Sequence, residues 1–142
     1  MSYPDQYNAV TVTIPGKPCH QKRHRNTKGG HYYNPSAPEL KTIAREIYLA
    51  ARAQKWQRST KPVIVRLDCY FARPKSRKKL AETYHAQKPD LDNIAKLYID
   101  AAIVGNVIAD DKQVIRINAG KYYALDGDEP RVDLEIFEAT HA

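Results

Sequence analysis

The sequence predicts an α/β (α+β) domain, a small mixed β-sheet of about four strands with two main helices packed on it. Three observations lead to this prediction. Four segments alternate apolar and polar residues with a period of two, which is typical of half-buried strands. Two others repeat apolar residues at helical spacing. The order along the chain is β-α-β-α-β-β, and no repeat or linker divides the 142 residues, so we expect a single domain over residues 1–142.

The first half of the chain contains a strand, a long loop and a helix. Residues 10–14 alternate valine or isoleucine with threonine, which predicts a strand that a Pro-Gly pair ends. A basic loop over residues 17–35 follows. Ser36 and Glu39 have the spacing of a capping box, in which each side chain accepts the other residue's backbone N–H. We therefore expect a helix to begin at Ser36 and to fade between residues 54 and 59.

The second half of the chain contains the other strands and the second helix. Residues 63–71 alternate and predict the second strand. A helix is expected from near Asp90 to just before Gly105, which is placed to adopt the left-handed conformation that often follows a helix. Residues 115–119 and 132–136 alternate again and predict the last two strands.

The excess of basic residues favours a polyanionic partner. There are 23 Lys and Arg against 16 Asp and Glu, a formal net charge of +7, which attracts phosphate-rich molecules, although a generic basic protein would share it. Two cysteines, Cys19 and Cys69, are too few for an extracellular scaffold, so we expect reduced thiols in a cytoplasmic protein. The N-terminus does not resemble a signal peptide, and no apolar run reaches the roughly 18–20 residues that span a bilayer, so we expect no membrane partner.

The strongest functional signal is a cluster of acidic residues in this basic chain. If the segment from Asp90 to Asp92 is extended, both carboxylates lie on the same side. Asp92, Lys96 and Asp100 follow at intervals of four and share one helix face. Repulsion between clustered carboxylates is relieved by a hard cation such as Mg²⁺, which can polarise a phosphate and supply hydroxide. The cluster therefore predicts a metal-dependent enzyme that acts on nucleic acid.

Each acidic residue also has a purely structural interpretation. Asp90 stands where a helix N-cap would be, and Asp92 would complement the helix dipole. The pair at positions 110 and 111 could form a turn, and Lys96 could join a surface salt-bridge ladder worth less than about 1 kcal/mol. An EF-hand loop is excluded, because apolar residues occupy places where that loop needs a ligand and a glycine.

Three motifs together resemble one nuclease family. They are Thr13-Ile14-Pro15-Gly16-Lys17-Pro18 with the basic Gly-Gly-x-Tyr segment after it, Lys88-Pro89-Asp90-Leu91-Asp92-Asn93 with Lys96 and Asp100, and Asp110-Asp111-x-Gln113-Val114. They resemble the RusA family of Holliday junction resolvases, in its phage and prophage type. The resemblance implies a homodimeric, Mg²⁺-dependent endonuclease, bacterial or phage-encoded, that resolves four-way DNA junctions by paired symmetric incisions in recombination and repair. Mn²⁺ is an expected substitute for Mg²⁺.

The resemblance also implies roles for individual residues. The expected metal ligands are Asp90, Asp92 and Asp111, and the expected phosphate-positioning lysine is Lys96. These four are the predicted catalytic residues. Supporting roles are expected for the nearby polar residues Asp110, Asn93 and Asp100.

Two basic loops are the predicted DNA-binding segments. The first combines cations with aromatic rings, which can clamp phosphates and stack on an unpaired base, and the second is a run of lysine and arginine. The residues expected to contact DNA are Arg23, Arg25, Lys28, Tyr32, Arg73, Lys75, Arg77, Lys78 and Lys79. Both segments could instead be solvated loops. A zinc site on Cys19 and the histidines that follow is disfavoured, because no second Cys or His pair has the required spacing.

Three other functions stay open from the sequence. The protein could be a metal-dependent nuclease for other branched or single-stranded DNA. It could also be a non-catalytic DNA-binding module whose aspartates only cap a helix. An RNA-binding protein would carry a similar excess of positive charge.

Overall fold

A four-stranded mixed sheet lies at the centre of the computed structural model, which describes residues 8–22, 25–26, 32–33, 36–74, 83–125 and 127–139. In chain order, the elements are β1 (Ala9–Pro15), β2 (Arg25–Asn26), β3 (Tyr32–Tyr33), α1 (Ala37–Ala53), β4 (Val63–Phe71), α2 (Leu91–Val104), a 3₁₀ helix (Asp111–Gln113), β5 (Val114–Tyr123) and β6 (Arg131–Glu138). The predicted α+β class and the order β-α-β-α-β-β of the main elements are confirmed.

The sheet has the strand order β1-β6-β4-β5, with β4 and β5 parallel and the other neighbours antiparallel. Its inward residues alternate along β1 and β4, as the sequence pattern predicts. Within the segment predicted to be a loop, residues 17–35, the short strands β2 and β3 pair in antiparallel orientation, which the sequence analysis did not predict.

The hydrophobic core joins one face of the sheet to both helices. It includes Leu67 on β4, Ile47 on α1 and Tyr98 on α2, each almost fully buried. Burial of such side chains contributes roughly 1.5–3 kcal/mol each. This packing fixes α2, and therefore the acidic residues along its exposed side, against the sheet.

The predicted capping box at the start of α1 is wrong. The helix begins at Ala37, but in the described structure Ser36 makes no side-chain capping bond. Its hydroxyl oxygen instead accepts the backbone N–H of Lys22 at 2.7 Å. The Glu39 carboxylate meets the Lys22 ammonium at 3.2 Å. Both side chains therefore hold the segment after β1 against α1, and this tertiary role replaces the local one.

The predicted left-handed conformation of Gly105 is also wrong, since its φ is −77° and the left-handed residue is Asn106, with a φ of 64°. The glycine is required for a different reason. A Cβ at position 105 would lie 2.8 Å from the carbonyl oxygen of Ala44 and 3.0 Å from that of Ala101. Its lack of a side chain therefore permits the close approach of α2 to α1.

The remaining sequence expectations concern the cysteines and membrane association. Cys19 and Cys69 are both free thiols. Cys69 is fully buried on β4, and this burial raises its pKa to about 12. Within the described ranges, neither helix is both long enough and apolar enough to cross a bilayer.

Candidate metal and nucleic-acid site

The start of α2 places Asp90 and Asp92 in different surroundings. Asp90 is extended, with φ −69° and ψ 141°, and the helix begins at Leu91. The segment from Asp90 to Asp92 is therefore not extended throughout, contrary to the premise on which both carboxylates would share one side. Asp92 lies in the first helical turn. The two carboxylates consequently line two neighbouring depressions.

Asp90 does not act as a capping side chain. Although it occupies the N-cap position, its carboxylate makes no capping hydrogen bond in the part of the chain that the structure describes. The backbone before it is held from β5, where the Lys121 ammonium donates to the carbonyl oxygens of Gln87 at 2.6 Å and Pro89 at 2.8 Å. The capping hydrogen bond that a purely structural role of Asp90 would require is therefore not formed. Lys121 instead holds the backbone directly before Asp90.

Four of the predicted residues meet at one cavity of about 300 Å³. Asp92, Lys96 and Asp100 contribute from α2, and Asp111 contributes from the start of the 3₁₀ helix. The other described lining residues are the apolar Ala95, Ile99, Val114 and Ile117. We call this the acidic cavity.

The acidic cavity has an excess of negative charge. Its described lining contains three carboxylates and one ammonium, which leaves two negative charges. The ammonium of Lys96 lies 3.7 Å from the Asp100 carboxylate, and 58% of the Lys96 side chain is exposed. This weak, exposed pair places Asp100 beside Lys96 at the cavity, and a supporting role for Asp100 stays a prediction. Lys96 remains open to an approaching phosphate.

A divalent cation fits the donor set of the acidic cavity. Mg²⁺ is typically held by one or two carboxylates, with water and substrate phosphate oxygens completing its shell. Asp92 and Asp111 supply such a pair of hard oxygen donors. Among the described residues, no three or more His, Cys, Asp or Glu side chains form a metal-holding group. The structure thus brings Asp92 and Asp111 together and leaves Asp90 outside.

Asp90 lines a second depression, of about 360 Å³, whose described lining shares no residue with the acidic cavity. Asn93 also lines it, together with three residues to which the sequence analysis gave no DNA-binding role: Lys17, His20 and Lys88. We call this the basic depression. The signal for two of these residues was present in the motifs, since Lys17 follows Pro15-Gly16 and Lys88 lies two residues before Asp90.

Backbone contacts fasten the basic depression to α2. The Gln21 N–H donates to the carbonyl oxygen of Asn93 at 3.0 Å, and the Cys19 N–H donates to the Tyr98 hydroxyl oxygen at 3.1 Å. Because Tyr98 is buried, this bond ties the segment after β1 directly to the core. The backbone that follows Lys17 is therefore held against α2.

The turn that carries Asp111 is built by its two neighbours in the motif. The Asp110 carboxylate accepts the Lys112 N–H at 2.9 Å and caps the 3₁₀ helix. This backbone hydrogen bond is the main reason why the pKa of Asp110 lies below its usual value. The Gln113 side-chain oxygen accepts the N–H groups of Ala109 and Asp110 at 2.8 and 2.9 Å. Asp110 thus has a supporting structural role.

A family comparison identifies the chain. Residues 15–137 match the family model described as endodeoxyribonuclease RusA, which covers both acidic motifs and most of the sequence. The chain belongs to the RusA family. The match supports an endodeoxyribonuclease, a hydrolase of DNA phosphodiester bonds. A search of curated proteins gave no match.

Most of the residues predicted to bind DNA in this RusA family member lie outside the described residues. These are Arg23, Lys28, Lys75, Arg77, Lys78 and Lys79. Arg25 and Tyr32 are described as backbone of the β2–β3 hairpin. Arg73 is half-buried, with its guanidinium carbon 5.5 Å from the centre of the Tyr123 ring. DNA contact by all nine residues stays a prediction.

Proposed function

We propose that this protein is a Mg²⁺-dependent endonuclease that resolves four-way DNA junctions by paired symmetric incisions. The observation that carries this proposal is the meeting of Asp92, Lys96 and Asp111 at the acidic cavity, within a chain of the RusA family. We further propose that it acts in DNA recombination and repair, in the cytoplasm of a bacterium and from a bacterial or phage gene.

Asp92 and Asp111 are the proposed core of the metal site. The bound ion would polarise the scissile phosphate and lower the pKa of an attacking water. We retain Asp90 as the third ligand, because no capping bond would have to break for its carboxylate to move. Mn²⁺ is the proposed substitute, since it prefers the same oxygen donors.

Lys96 is the proposed phosphate-positioning residue. Its ammonium lies at the mouth of the acidic cavity, held by Asp100 but largely exposed. It can donate hydrogen bonds to a non-bridging phosphate oxygen and stabilise the negative charge that develops there. We propose that Lys17 and Lys88, the cations that line the basic depression, contact backbone phosphates next to the scissile one on the same strand.

A homodimer is the proposed functional unit. A four-way junction presents two strands of matching polarity that are related by a two-fold axis. A dimer with two-fold symmetry would present one acidic cavity to each of these strands. Paired incision then requires no second type of active site.

Cleavage of a synthetic junction with and without Mg²⁺ tests the proposal. Asp92→Asn and Asp111→Asn should each reduce cleavage by at least about 100-fold, since either change removes an ionised oxygen ligand. Binding in EDTA should be retained, because affinity comes from the basic surface. The matched control is Asp128→Asn, the same change on an exposed aspartate that lines neither the acidic cavity nor the basic depression in the described structure.

A substrate panel separates the proposed activity from the nearest alternative. Junctions, flaps, single strands and plain duplexes should be compared at equal concentration, with both nicks mapped. If flaps or single strands are cut in preference to junctions, the protein is a nuclease for another DNA structure. If no substrate yields a Mg²⁺-dependent product, the protein is a non-catalytic DNA-binding module.

A further inference from the structure

A groove of about 410 Å³ lies where the chain leaves α1, and none of its described lining residues belongs to the acidic cavity or the basic depression. Three of the residues that line it are cationic: Lys55, Arg58 and Lys61. Glu138 supplies the acid on its wall. We call this the α1 groove.

The cations of the α1 groove are available to a partner. Lys55, Arg58 and Lys61 are all exposed, and within the described part of the chain none of them forms an ion pair. Three cations and one carboxylate leave a charge of +2 on the described lining. A groove with this excess favours an anionic occupant.

Glu138 is already engaged by neutral hydrogen-bond donors. The Asn8 side-chain amide donates to one of its oxygens at 2.8 Å, and the Ser59 hydroxyl donates to the other at 2.7 Å. Burial tends to raise the pKa of Glu138, but these bonds, aided by the charge of Lys61, lower it overall. The carboxylate is thus a fixed part of the wall.

Lys55 occupies a backbone position that disfavours lysine. It follows α1 with a φ of 59°, and its N–H donates to Arg52 while the Trp56 N–H donates to Ala51, which is a Schellman motif. Glycine or asparagine is preferred at such a left-handed position, because a Cβ is strained there.

The end of α2 provides an internal comparison for Lys55. It has the same motif, and there the left-handed residue is Asn106, one of the preferred types. Strained backbone conformations cluster at functional sites, where the surrounding structure maintains them. The side chain of Lys55 therefore points to a role beyond closing the helix.

The side chain of Gln113 connects the backbone of the α1 groove to the turn that carries Asp111. The Gln113 amide nitrogen donates to the carbonyl oxygens of Ser59 at 2.9 Å and Lys61 at 2.8 Å. Its oxygen accepts the Asp110 N–H, directly before Asp111. The backbone that carries Arg58 and Lys61 is therefore tied to the turn that carries the proposed metal ligand Asp111.

We propose that the α1 groove binds the phosphate backbone of a DNA duplex arm that extends from the junction centre. This inference rests on the proposed function. Lys55, Arg58 and Lys61 are spread over seven residues of chain instead of converging on one point, which suits successive phosphates of a polyanion better than a single small anion. The contact would position the arm without reading its sequence.

The first test removes the three charges together. The variant Lys55→Gln/Arg58→Gln/Lys61→Gln is compared with Lys41→Gln/Arg45→Gln/Arg52→Gln, which removes the same charge from exposed positions on α1. Junction affinity is measured in EDTA over a range of salt concentrations. The groove variant should reduce the slope of log affinity against log salt by about two to three, near 0.9 per lost phosphate contact.

The control variant should change that salt slope by less than one unit. Equal effects of the two triple variants, or an unchanged slope for the groove variant, would overturn the inference. So would a groove variant that loses affinity for structured RNA but keeps its affinity for junction DNA.

The second test uses the strain at Lys55. Lys55→Gly should raise the midpoint of thermal unfolding by roughly 2–5 °C, because glycine relieves the left-handed strain, and should weaken junction binding several-fold. Asn106→Gly makes a change of the same kind outside the groove and should leave binding unaltered. A Lys55→Gly protein with raised stability and unchanged affinity contradicts the inference.

Because both tests measure binding in EDTA, their outcome does not depend on cleavage. If junction cleavage depends fully on Mg²⁺ but the groove substitutions do not change binding, the proposed function stands and the groove inference is wrong. If the groove substitutions weaken binding but the protein cuts no DNA, the groove inference stands and the proposed function is wrong.

Discussion

The side-chain amide of Gln113 binds the backbone oxygen of Ser59 at 2.9 Å across 54 positions of sequence. The same side chain also holds Lys61, Ala109 and Asp110. It thus joins the chain after α1 to the turn that carries Asp111. We expect the position of Asp111 in the proposed metal site to depend on this connection.

Gln113→Ala should therefore impair both stability and cleavage. Four hydrogen bonds are lost and their backbone partners are left unsatisfied, so the free energy of unfolding should fall by about 2–4 kcal/mol. The Mg²⁺ concentration for half-maximal cleavage should rise as the Asp111 turn loosens. Gln113→Glu is the control, since it keeps the acceptor but loses both donors. A normal Mg²⁺ requirement in Gln113→Ala would refute the positioning role.

Lys121 should support Asp90 in a comparable way. Lys121→Met keeps much of the side-chain volume but removes the hydrogen bonds to Gln87 and Pro89. If Asp90 is a metal ligand, cleavage at limiting Mg²⁺ should fall by roughly tenfold, which corresponds to about 1.4 kcal/mol. Lys121→Arg should restore part of the activity. Equal losses at limiting and saturating Mg²⁺ would mean that Lys121 does not act through the metal.

The sequence predicted those features of the fold that depend on local periodicity. The strands β1 and β4 alternate because one face of each is buried, so their positions could be predicted. The prediction for β5 was too short. Its isoleucines at positions 115 and 117 are exposed, and the strand continues to Tyr123 because it pairs in parallel with β4, a contact that local pattern does not encode.

Predictions about the ends of helices depended on neighbours that the sequence does not show. Ser36 and Glu39 have the spacing of a capping box, yet Lys22 is the partner of both. The acidic site could likewise be predicted only in part, because it combines a local pattern with a helix boundary. Helical spacing groups Asp92, Lys96 and Asp100, whereas the separation of Asp90 from Asp92 depends on the residue at which α2 begins.

Lys96→Gln should separate catalysis from stability. Its ion pair with Asp100 is exposed and should contribute less than about 0.5 kcal/mol to the free energy of unfolding. Cleavage at saturating junction should nevertheless fall by about 100-fold, if the ammonium stabilises charge on the scissile phosphate. Lys96→Arg, which keeps the charge, should retain more activity. The measurement is the single-turnover cleavage rate of pre-bound junction. If Lys96→Gln weakened junction binding but left this rate unchanged, the catalytic role of Lys96 would be contradicted.

Gly105→Ala should destabilise the contact between the helices. The new Cβ would lie within about 3 Å of two backbone carbonyl oxygens, which cannot move as a flexible side chain can. We expect a loss of about 1–3 kcal/mol in the free energy of unfolding measured by chemical denaturation, which is the typical range for overpacked cores. Gly127→Ala is the comparison, because its Cβ would meet no atom within 4 Å and only its φ of 91° opposes the change. A smaller loss at position 105 than at 127 would contradict the packing argument.

The buried thiol of Cys69 should make stability fall at alkaline pH. Its folded-state pKa is raised, first by burial and then by the charge of Asp68, to about 12. Above its ordinary value, near 9, the unfolded chain releases a proton that the folded chain keeps, so the free energy of unfolding decreases as pH rises. One such proton corresponds to a slope of about 1.4 kcal/mol per pH unit. Denaturant titrations between about pH 8 and pH 10.5 measure it.

Cys69→Ala is the matched variant for that measurement. It should be less stable at every pH because it leaves a cavity, but its stability should decline less steeply above about pH 9, since the thiol that releases the proton is gone. Tyr98, whose pKa burial also raises, would add to the decline in both proteins at the most alkaline values. Parallel curves for the wild type and the variant across the whole range would show that the thiol is not the group responsible.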